Sequence, residues 1–102
     1  MDLNQLRNQI DGIDRQLVEL FCRRMDIAAE VADYKKKNGI PVLDKQRERE
    51  LLARISEMGG SEYGNYCVRL YSQILELSKA YQHHCTDSET QLSNDIKQSV
   101  DK

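Results

Sequence analysis

The stretch that decides the fold is LNQLRNQIDGIDRQLVELFCRRMDIAAEVADYKKK, residues 3–37. Asp2 and Gln5 form a capping-box variant at its start, and Asn38-Gly39 followed by Pro41 marks its end. Between these signals the apolar residues recur every three or four positions, which is typical of an amphipathic helix and not of a strand. They are Leu3, Leu6, Ile10, Ile13, Leu17, Leu20, Ile27, Val31 and Tyr34. We therefore predict one helix over residues 3–37.

The length of this helix has a consequence for assembly. At about 1.5 Å per residue it extends for about 50 Å, whereas a compact domain of about 100 residues is only about 35 Å across. The helix must therefore protrude and expose its apolar stripe unless something covers it. Closed two-fold dimers are the commonest soluble oligomers, so we expect a second copy of the chain to be the cover.

The rest of the chain predicts two shorter helices. Asp44 caps a helix that continues to about Met58, Gly59-Gly60 breaks it, and Ser61 caps a third helix that ends near His84. The predicted fold class is therefore all-α, with one very long and two shorter helices in a single domain over residues 1–85. Residues 86–102 are rich in Ser, Asp, Gln and Lys and are expected to form a frayed or disordered polar tail.

Composition excludes several classes of protein. The 102 residues include 15 Lys plus Arg and 17 Asp plus Glu, which is too balanced for a general nucleic-acid binder. The sequence contains no apolar run of the roughly 20 residues that a membrane span needs, and no signal peptide is predicted. The three cysteines are odd in number and widely spaced, as expected for free thiols in a reducing compartment. We therefore expect a cytoplasmic protein without nucleic-acid or membrane partners.

Three cations interrupt the apolar stripe of the first helix, at Arg7, Arg24 and Lys35. Arg24 and Lys35 point within about 20° of each other and lie about 16 Å apart along the axis, so their long side chains can converge on one small ligand. Arg7 lies about 25 Å from Arg24. It can reach the same ligand only from an antiparallel helix of a partner subunit.

Three more polar residues fall where the later helices require hydrocarbon, namely Glu48, Ser78 and Gln82. Each of the six alone is ordinary for a solvated helix, but their coincidence on inward faces favours a site. Desolvation makes an uncompensated buried charge cost on the order of several kcal/mol. One carboxylate cannot balance three cations. A small dianionic ligand would supply the missing negative charge, and Arg is well shaped for bidentate carboxylate binding.

The same residues and their neighbours resemble the all-helical chorismate mutases of the small bacterial type. The resemblance covers about residues 3–83. Its matching stretches are Leu6-Arg7-Asn8-Gln9-Ile10-Asp11, Arg23-Arg24, Glu30-Val31-Ala32-Asp33-Tyr34-Lys35, Ile40-Pro41-Val42-Leu43-Asp44, Arg47-Glu48-Arg49-Glu50, and Glu76-Leu77-Ser78 with Gln82. Each piece alone is weak, whereas their order and spacing together are specific.

The resemblance implies an intertwined all-α homodimer with two equivalent sites and no cofactor, which converts chorismate to prephenate by a Claisen rearrangement. It implies that Arg24, with Ser78, binds one substrate carboxylate, and that Lys35 and the partner subunit's Arg7 bind the other. Lys35 and Gln82 would donate to the ether oxygen of the breaking bond. The ring hydroxyl would be bound by Glu48 and the backbone near Asp44, with Arg47 as a support.

The chemistry of this reaction fits the residue types independently. A pericyclic rearrangement needs no nucleophile, and the sequence offers no Ser-His or Cys-His pair in register. It needs a compact substrate conformation and hydrogen-bond donors at an oxygen that gains negative charge. A cation and a neutral amide can serve as these donors. Because Gln82 does not titrate, we predict activity that changes little between about pH 6 and 8.

Two other functions are compatible with the pattern. An isochorismate-pyruvate lyase would share the fold and a similarly cationic pocket, although the inward Glu48 favours the mutase. A non-catalytic helical dimerisation or regulatory module would use the first helix only as a docking surface. A metal site at His83-His84-Cys85 is disfavoured, because adjacent helix residues point about 100° apart and no fourth ligand is suitably spaced.

Overall fold

The structure is a computed structural model that describes the backbone of residues 1–100 and the side chains of residues 1–85. It contains two helices, α1 at Leu3–Lys37 and α2 at Lys45–Val100, and no strand within the described backbone. The predicted all-α class is confirmed. The predicted number of three helices is wrong, because the second and third merge into α2.

Helix α1 begins and ends where the sequence predicts. The Asp2 carboxylate accepts a hydrogen bond from the Gln5 backbone N–H at 2.8 Å, and the Gln5 side chain accepts one from the Asp2 N–H at 2.8 Å. This reciprocal pair satisfies two N–H groups that the first turn leaves without partners. At the other end, Asn38 is the C-cap and Gly39 takes a φ of 66°, a conformation that glycine adopts without steric cost.

Helix α2 bends sharply where the sequence predicts a break. Gly60 has a φ of 73° within the helix, outside regular helical geometry. A Cβ placed on Gly64 would lie 2.6 Å from the carbonyl oxygen of Ser56, although residues eight apart in a straight helix are separated by about 12 Å. The glycines thus let the backbone fold tightly onto itself. At the start of α2, Asp44 accepts a hydrogen bond from the Arg47 N–H at 3.0 Å, which confirms the predicted cap.

The two helices form a thin layer with a very small core. The chain measures 54 × 38 × 16 Å and has a radius of gyration of 17.5 Å, compared with about 13 Å for a compact chain of about 100 residues. Among residues 1–85, the buried apolar side chains are Ala32 of α1 and Ile55 of α2. Ser78 of α2 is also buried and contacts Arg24 and Met25, so the contact between the helices involves the C-terminal half of α1.

The N-terminal half of α1 carries a continuous apolar surface. Its stripe residues are all about half exposed or more: Leu3, Leu6, Ile10, Ile13, Leu17 and Leu20. Contiguous apolar patches of this kind mark interaction surfaces on soluble proteins. The predicted homodimer would cover this stripe, and it stays a prediction at this point.

Further predictions concern regions or properties outside this contact. The predicted helix end near His84 is wrong, because the helical backbone of α2 continues to Val100. The division between a domain at residues 1–85 and a polar tail at residues 86–102 stays a prediction. Within the described part of the chain, no helix combines the length and the apolar character that a membrane crossing requires. Cys22, Cys67 and Cys85 form no disulfide within the described residues.

Candidate active site

A pocket of about 350 Å³ lies between the C-terminal half of α1, the 38–44 link and α2. Helix α2 contributes residues from both of its arms, the first before and the second after the bend at Gly60. This volume is in the range of small-molecule sites, about 300–1,000 Å³. Apolar and polar side chains line it in similar numbers, and the polar groups come from widely separated parts of the sequence. Seven of the eight predicted site residues line it: Arg24, Lys35, Asp44, Arg47, Glu48, Ser78 and Gln82.

Arg24 is held from two directions. Its Nη1 donates a hydrogen bond to the Ser78 hydroxyl at 3.1 Å, and its guanidinium lies 5.8 Å from the centre of the Tyr71 ring. That distance is within cation–π range. Ser78 is only 5% exposed and donates weakly to the Met25 sulfur at 3.8 Å. The guanidinium is therefore ordered at the pocket wall before any ligand arrives.

Lys35 is placed by the link that follows α1. Its Nζ donates a hydrogen bond to the Val42 carbonyl at 3.1 Å, and the Ile40 N–H bonds back to the Lys35 carbonyl at 2.8 Å. The link thus folds over the end of the helix. Lys35 is half-buried with its ammonium at the pocket, about three turns of helix from Arg24, as its register predicts.

Gln82 joins α2 to α1 at the pocket. Its amide nitrogen donates a hydrogen bond to the Ala28 carbonyl at 2.9 Å. A carboxamide nitrogen carries two hydrogens, so a bond to the backbone sets the plane in which the other one points. Gln82 is half-buried and one helical turn beyond Ser78, which confirms that the two polar residues share a face.

Glu48 has a partner that sequence reasoning missed. The Lys79 Nζ lies 3.2 Å from one Glu48 carboxylate oxygen and 2.8 Å from Glu76, and Lys79 lines the pocket. Hydrogen bonds to Glu76 and then to Glu48 raise the pKa of Lys79 above its ordinary 10.5. A signal for Lys79 was available, since it follows Leu75 by one turn and so interrupts an apolar face.

Arg7 stands apart from the other predicted residues. It does not line the pocket of its own chain, and its side chain is exposed on the uncovered half of α1. The predicted role of Arg7 at a partner subunit's pocket stays a prediction. The expectation that it cannot reach the ligand of its own chain agrees with this position.

The charges of the pocket suit an anion. Its lining includes four cations and two carboxylates, and so an excess of two positive charges in a chain whose net charge is -2. Among the described residues, Arg24 contacts the Ser78 hydroxyl and the Tyr71 ring, and Lys35 contacts the Val42 carbonyl. Neither of these two cations forms an ion pair with a described carboxylate. No group of three His, Cys, Asp or Glu side chains suited to a metal occurs within the described residues.

The sequence has counterparts among known proteins. The sequence profile of chorismate mutase type II matches residues 6–83, about three quarters of the chain. The chain belongs to the chorismate mutase type II family. The match begins beside Arg7 and ends just after Gln82, so it contains every residue considered above for the site.

Relatives of this chorismate mutase type II chain occur both alone and as parts of longer proteins. It is 32% identical to a chorismate mutase of Methanocaldococcus jannaschii over 95 residues, which cover 90% of this chain and 94% of that protein. It is 31% identical over 100 residues to a bifunctional chorismate mutase/prephenate dehydratase of Buchnera aphidicola, covering 91% of this chain and 26% of that protein. The corresponding bifunctional protein of Escherichia coli K12 is 36% identical over 73 residues, covering 70% of this chain and 19% of that protein. The chain thus spans about a quarter or less of these bifunctional relatives.

Proposed function

We propose that this chain is a chorismate mutase, which converts chorismate to prephenate for aromatic amino acid biosynthesis. The observation that carries the proposal is the meeting of Arg24, Lys35, Glu48, Ser78 and Gln82 around one pocket, in a chain of this family. In the rearrangement one C–O bond breaks and one C–C bond forms within the same molecule. No proton, hydride or group leaves the substrate, so the reaction requires no cofactor.

The substrate is a dianion, and the pocket offers two cations for its two carboxylates. Arg24 binds one of them, helped by the Ser78 hydroxyl to which it already donates. Lys35 binds the other together with the partner subunit's Arg7. Fixing both ends of a flexible substrate selects the compact conformation in which the two reacting carbons meet, and such positioning lowers the barrier substantially.

The transition state carries negative charge on the ether oxygen. Lys35 and Gln82 donate hydrogen bonds to that atom, and they do so from positions held by Val42 and Ala28. Preorganised donors of this kind are each worth about 100- to 1,000-fold in rate. Glu48 and the backbone near Asp44 bind the ring hydroxyl, while Arg47 supports this end of the pocket.

The enzyme works as an intertwined homodimer in this proposal. The uncovered stripe of α1 supports it, because the same half-helix carries both the exposed apolar residues and Arg7. A two-fold axis repeats every contact, so each subunit would give its Arg7 to the other subunit's pocket. The odd number and wide spacing of the three cysteines support a cytoplasmic location for the dimer.

The experiment is a substrate test with two arms. Purified protein is incubated with chorismate, and loss of chorismate is followed together with the appearance of prephenate. A parallel sample receives isochorismate and is examined for salicylate and pyruvate. We expect prephenate from the first sample and little turnover in the second. Rapid formation of salicylate and pyruvate without prephenate would make the chain a lyase and refute the proposal.

A further inference from the structure

Lys79 is a charged residue in the pocket wall that the proposed mechanism does not use. It lies in the second arm of α2, beside Ser78, and its side chain is 30% exposed. It forms one ion pair with Glu48, in the first turn of α2, at 3.2 Å, and another with Glu76, one turn earlier, at 2.8 Å. The Glu48 contact therefore joins the two arms of the bent helix across the pocket.

The two ion pairs of Lys79 differ in their surroundings. Glu76 is 68% exposed and does not line the pocket, whereas the Glu48 side chain is 26% exposed and does. An exposed pair within one helix contributes little, because water and salt screen it. The half-buried pair at the pocket is screened less. This Lys79–Glu48 pair also fixes the Glu48 carboxylate, which the substrate would contact.

A lone carboxylate is a liability in a pocket for a dianion. Glu48 is suited to accept the hydrogen bond of the substrate hydroxyl, but its negative charge repels both carboxylates of the same substrate. A cation in contact with Glu48 offsets that repulsion and leaves one carboxylate oxygen to accept the hydroxyl hydrogen bond. Hydrogen bonding to two carboxylates keeps Lys79 cationic at neutral pH.

We propose that Lys79 is a positioning residue for substrate binding, which orients the Glu48 carboxylate at the pocket wall and offsets its charge. This inference rests on the proposed function. Lys79 does not act on the breaking bond and needs no contact with the substrate, because its effect passes through Glu48. Its loss therefore weakens binding of the dianion more than it slows the rearrangement.

The first test compares two lysine replacements that remove the same charge. Lys79→Met keeps the length of the alkyl stem and removes the ammonium. Lys45→Met is the matched control, since Lys45 is an exposed lysine at the start of α2 that does not line the pocket. We expect Lys79→Met to raise KM for chorismate about fivefold with kcat within about twofold, the upper range for a partly screened pair. Lys45→Met should change neither value by more than about twofold.

The second test is a double-mutant cycle with Glu48→Gln, read as kcat/KM at raised enzyme concentration. If Lys79 acts through Glu48, Lys79→Met has no further effect in the Glu48→Gln background. Lys79→Arg keeps the positive charge, so its KM for chorismate should stay within about twofold of wild type. Thermal unfolding of each variant identifies any loss of folded protein.

The outcomes separate this inference from the proposed function. Absence of prephenate formation by the wild-type chain would refute the proposed function itself. Wild-type turnover with an unchanged KM in Lys79→Met would overturn the role of Lys79 alone. An equal loss from Lys79→Met with and without Glu48 would also overturn it, because the lysine would then act directly on the substrate or on the fold.

Discussion

The two halves of α1 share one apolar periodicity but have different surroundings. The C-terminal half packs on α2, buries Ala32 and presents Arg24 and Lys35 to a pocket. The N-terminal half keeps its stripe residues at least 45% exposed, with Arg7 among them, and lines no part of that pocket. The stripe residues Ile27 and Val31 of the C-terminal half are also 57% and 42% exposed, but they line the pocket. Periodicity thus identifies which face of a helix is apolar, and only the fold decides what covers that face.

This contrast assigns the halves different tasks in the proposed enzyme. The C-terminal half supplies the pocket cations from within one chain, and the N-terminal half supplies a surface and one cation for a partner. Changes in the pocket half should therefore abolish catalysis without changing assembly. Changes in the uncovered half should change assembly first and catalysis as a result.

The largest effect is expected from Lys35→Ala in the pocket half. The substitution removes a carboxylate ligand and a donor to the ether oxygen, so kcat/KM should fall about 1,000-fold or more. The oligomeric mass and the helical circular dichroism should match wild type, because Lys35 lies at the end of the contact and is half-buried. Lys36→Ala, at an exposed neighbouring position, is the control and should retain wild-type turnover. Retained activity in Lys35→Ala would exclude the pocket as the site.

A change in the uncovered half should act through assembly. Ile13 is 54% exposed in the single chain, so Ile13→Asp costs the isolated chain little, whereas a dimer interface would bury an unpaired carboxylate. We expect loss of the dimer in light scattering at micromolar protein and a fall in kcat/KM of about 100-fold, since each pocket loses one cation.

The control for Ile13→Asp is Asn8→Asp, which adds the same charge on the far side of α1. This variant should keep both the dimeric mass and the turnover of wild type. A dimeric, active Ile13→Asp protein would show that the apolar stripe is not the interface. A monomeric protein with full activity would show that the pocket needs no partner.

A smaller and conditional effect is expected from Gln82→Glu. A carboxylate cannot donate a hydrogen bond, and only the protonated form replaces the amide at the ether oxygen. An ordinary glutamate titrates near pH 4.3, so activity of the variant should rise steadily as the pH falls from 8 to 5. The wild type should vary little between about pH 6 and 8. Gln73→Glu, at an exposed position of α2, should follow the wild-type profile, and a flat profile in Gln82→Glu would argue against its role.

The sequence predicts much of this fold because several signals are local. Capping by Asp2, Gln5 and Asp44 and the Asn38-Gly39 turn depend on neighbouring residues, and they place the ends of α1 and the start of α2 correctly. The glycine pair at residues 59–60 is different. It permits either a break or a sharp bend, and the local pattern does not distinguish a new helix from a continuing one.

The sequence also predicts most of the polar residues of the pocket. Polar residues in an apolar register identify Arg24, Lys35, Glu48, Ser78 and Gln82, all of which line it. The pairing of Glu48 with Lys79 depends on how α2 bends, which no local signal specifies. The role of Arg7 depends on a second chain, because its register indicates only that it lies on the apolar stripe of α1.

In the proposed dimer, each pocket is completed by the partner subunit's Arg7. The most direct test mixes Arg7→Ala and Lys35→Ala proteins, each inactive alone, in equal amounts under conditions of confirmed subunit exchange. Random exchange makes half of the dimers mixed, and each mixed dimer contains one intact site of two. We predict recovery of about a quarter of wild-type turnover. No recovery despite confirmed exchange would contradict the shared site.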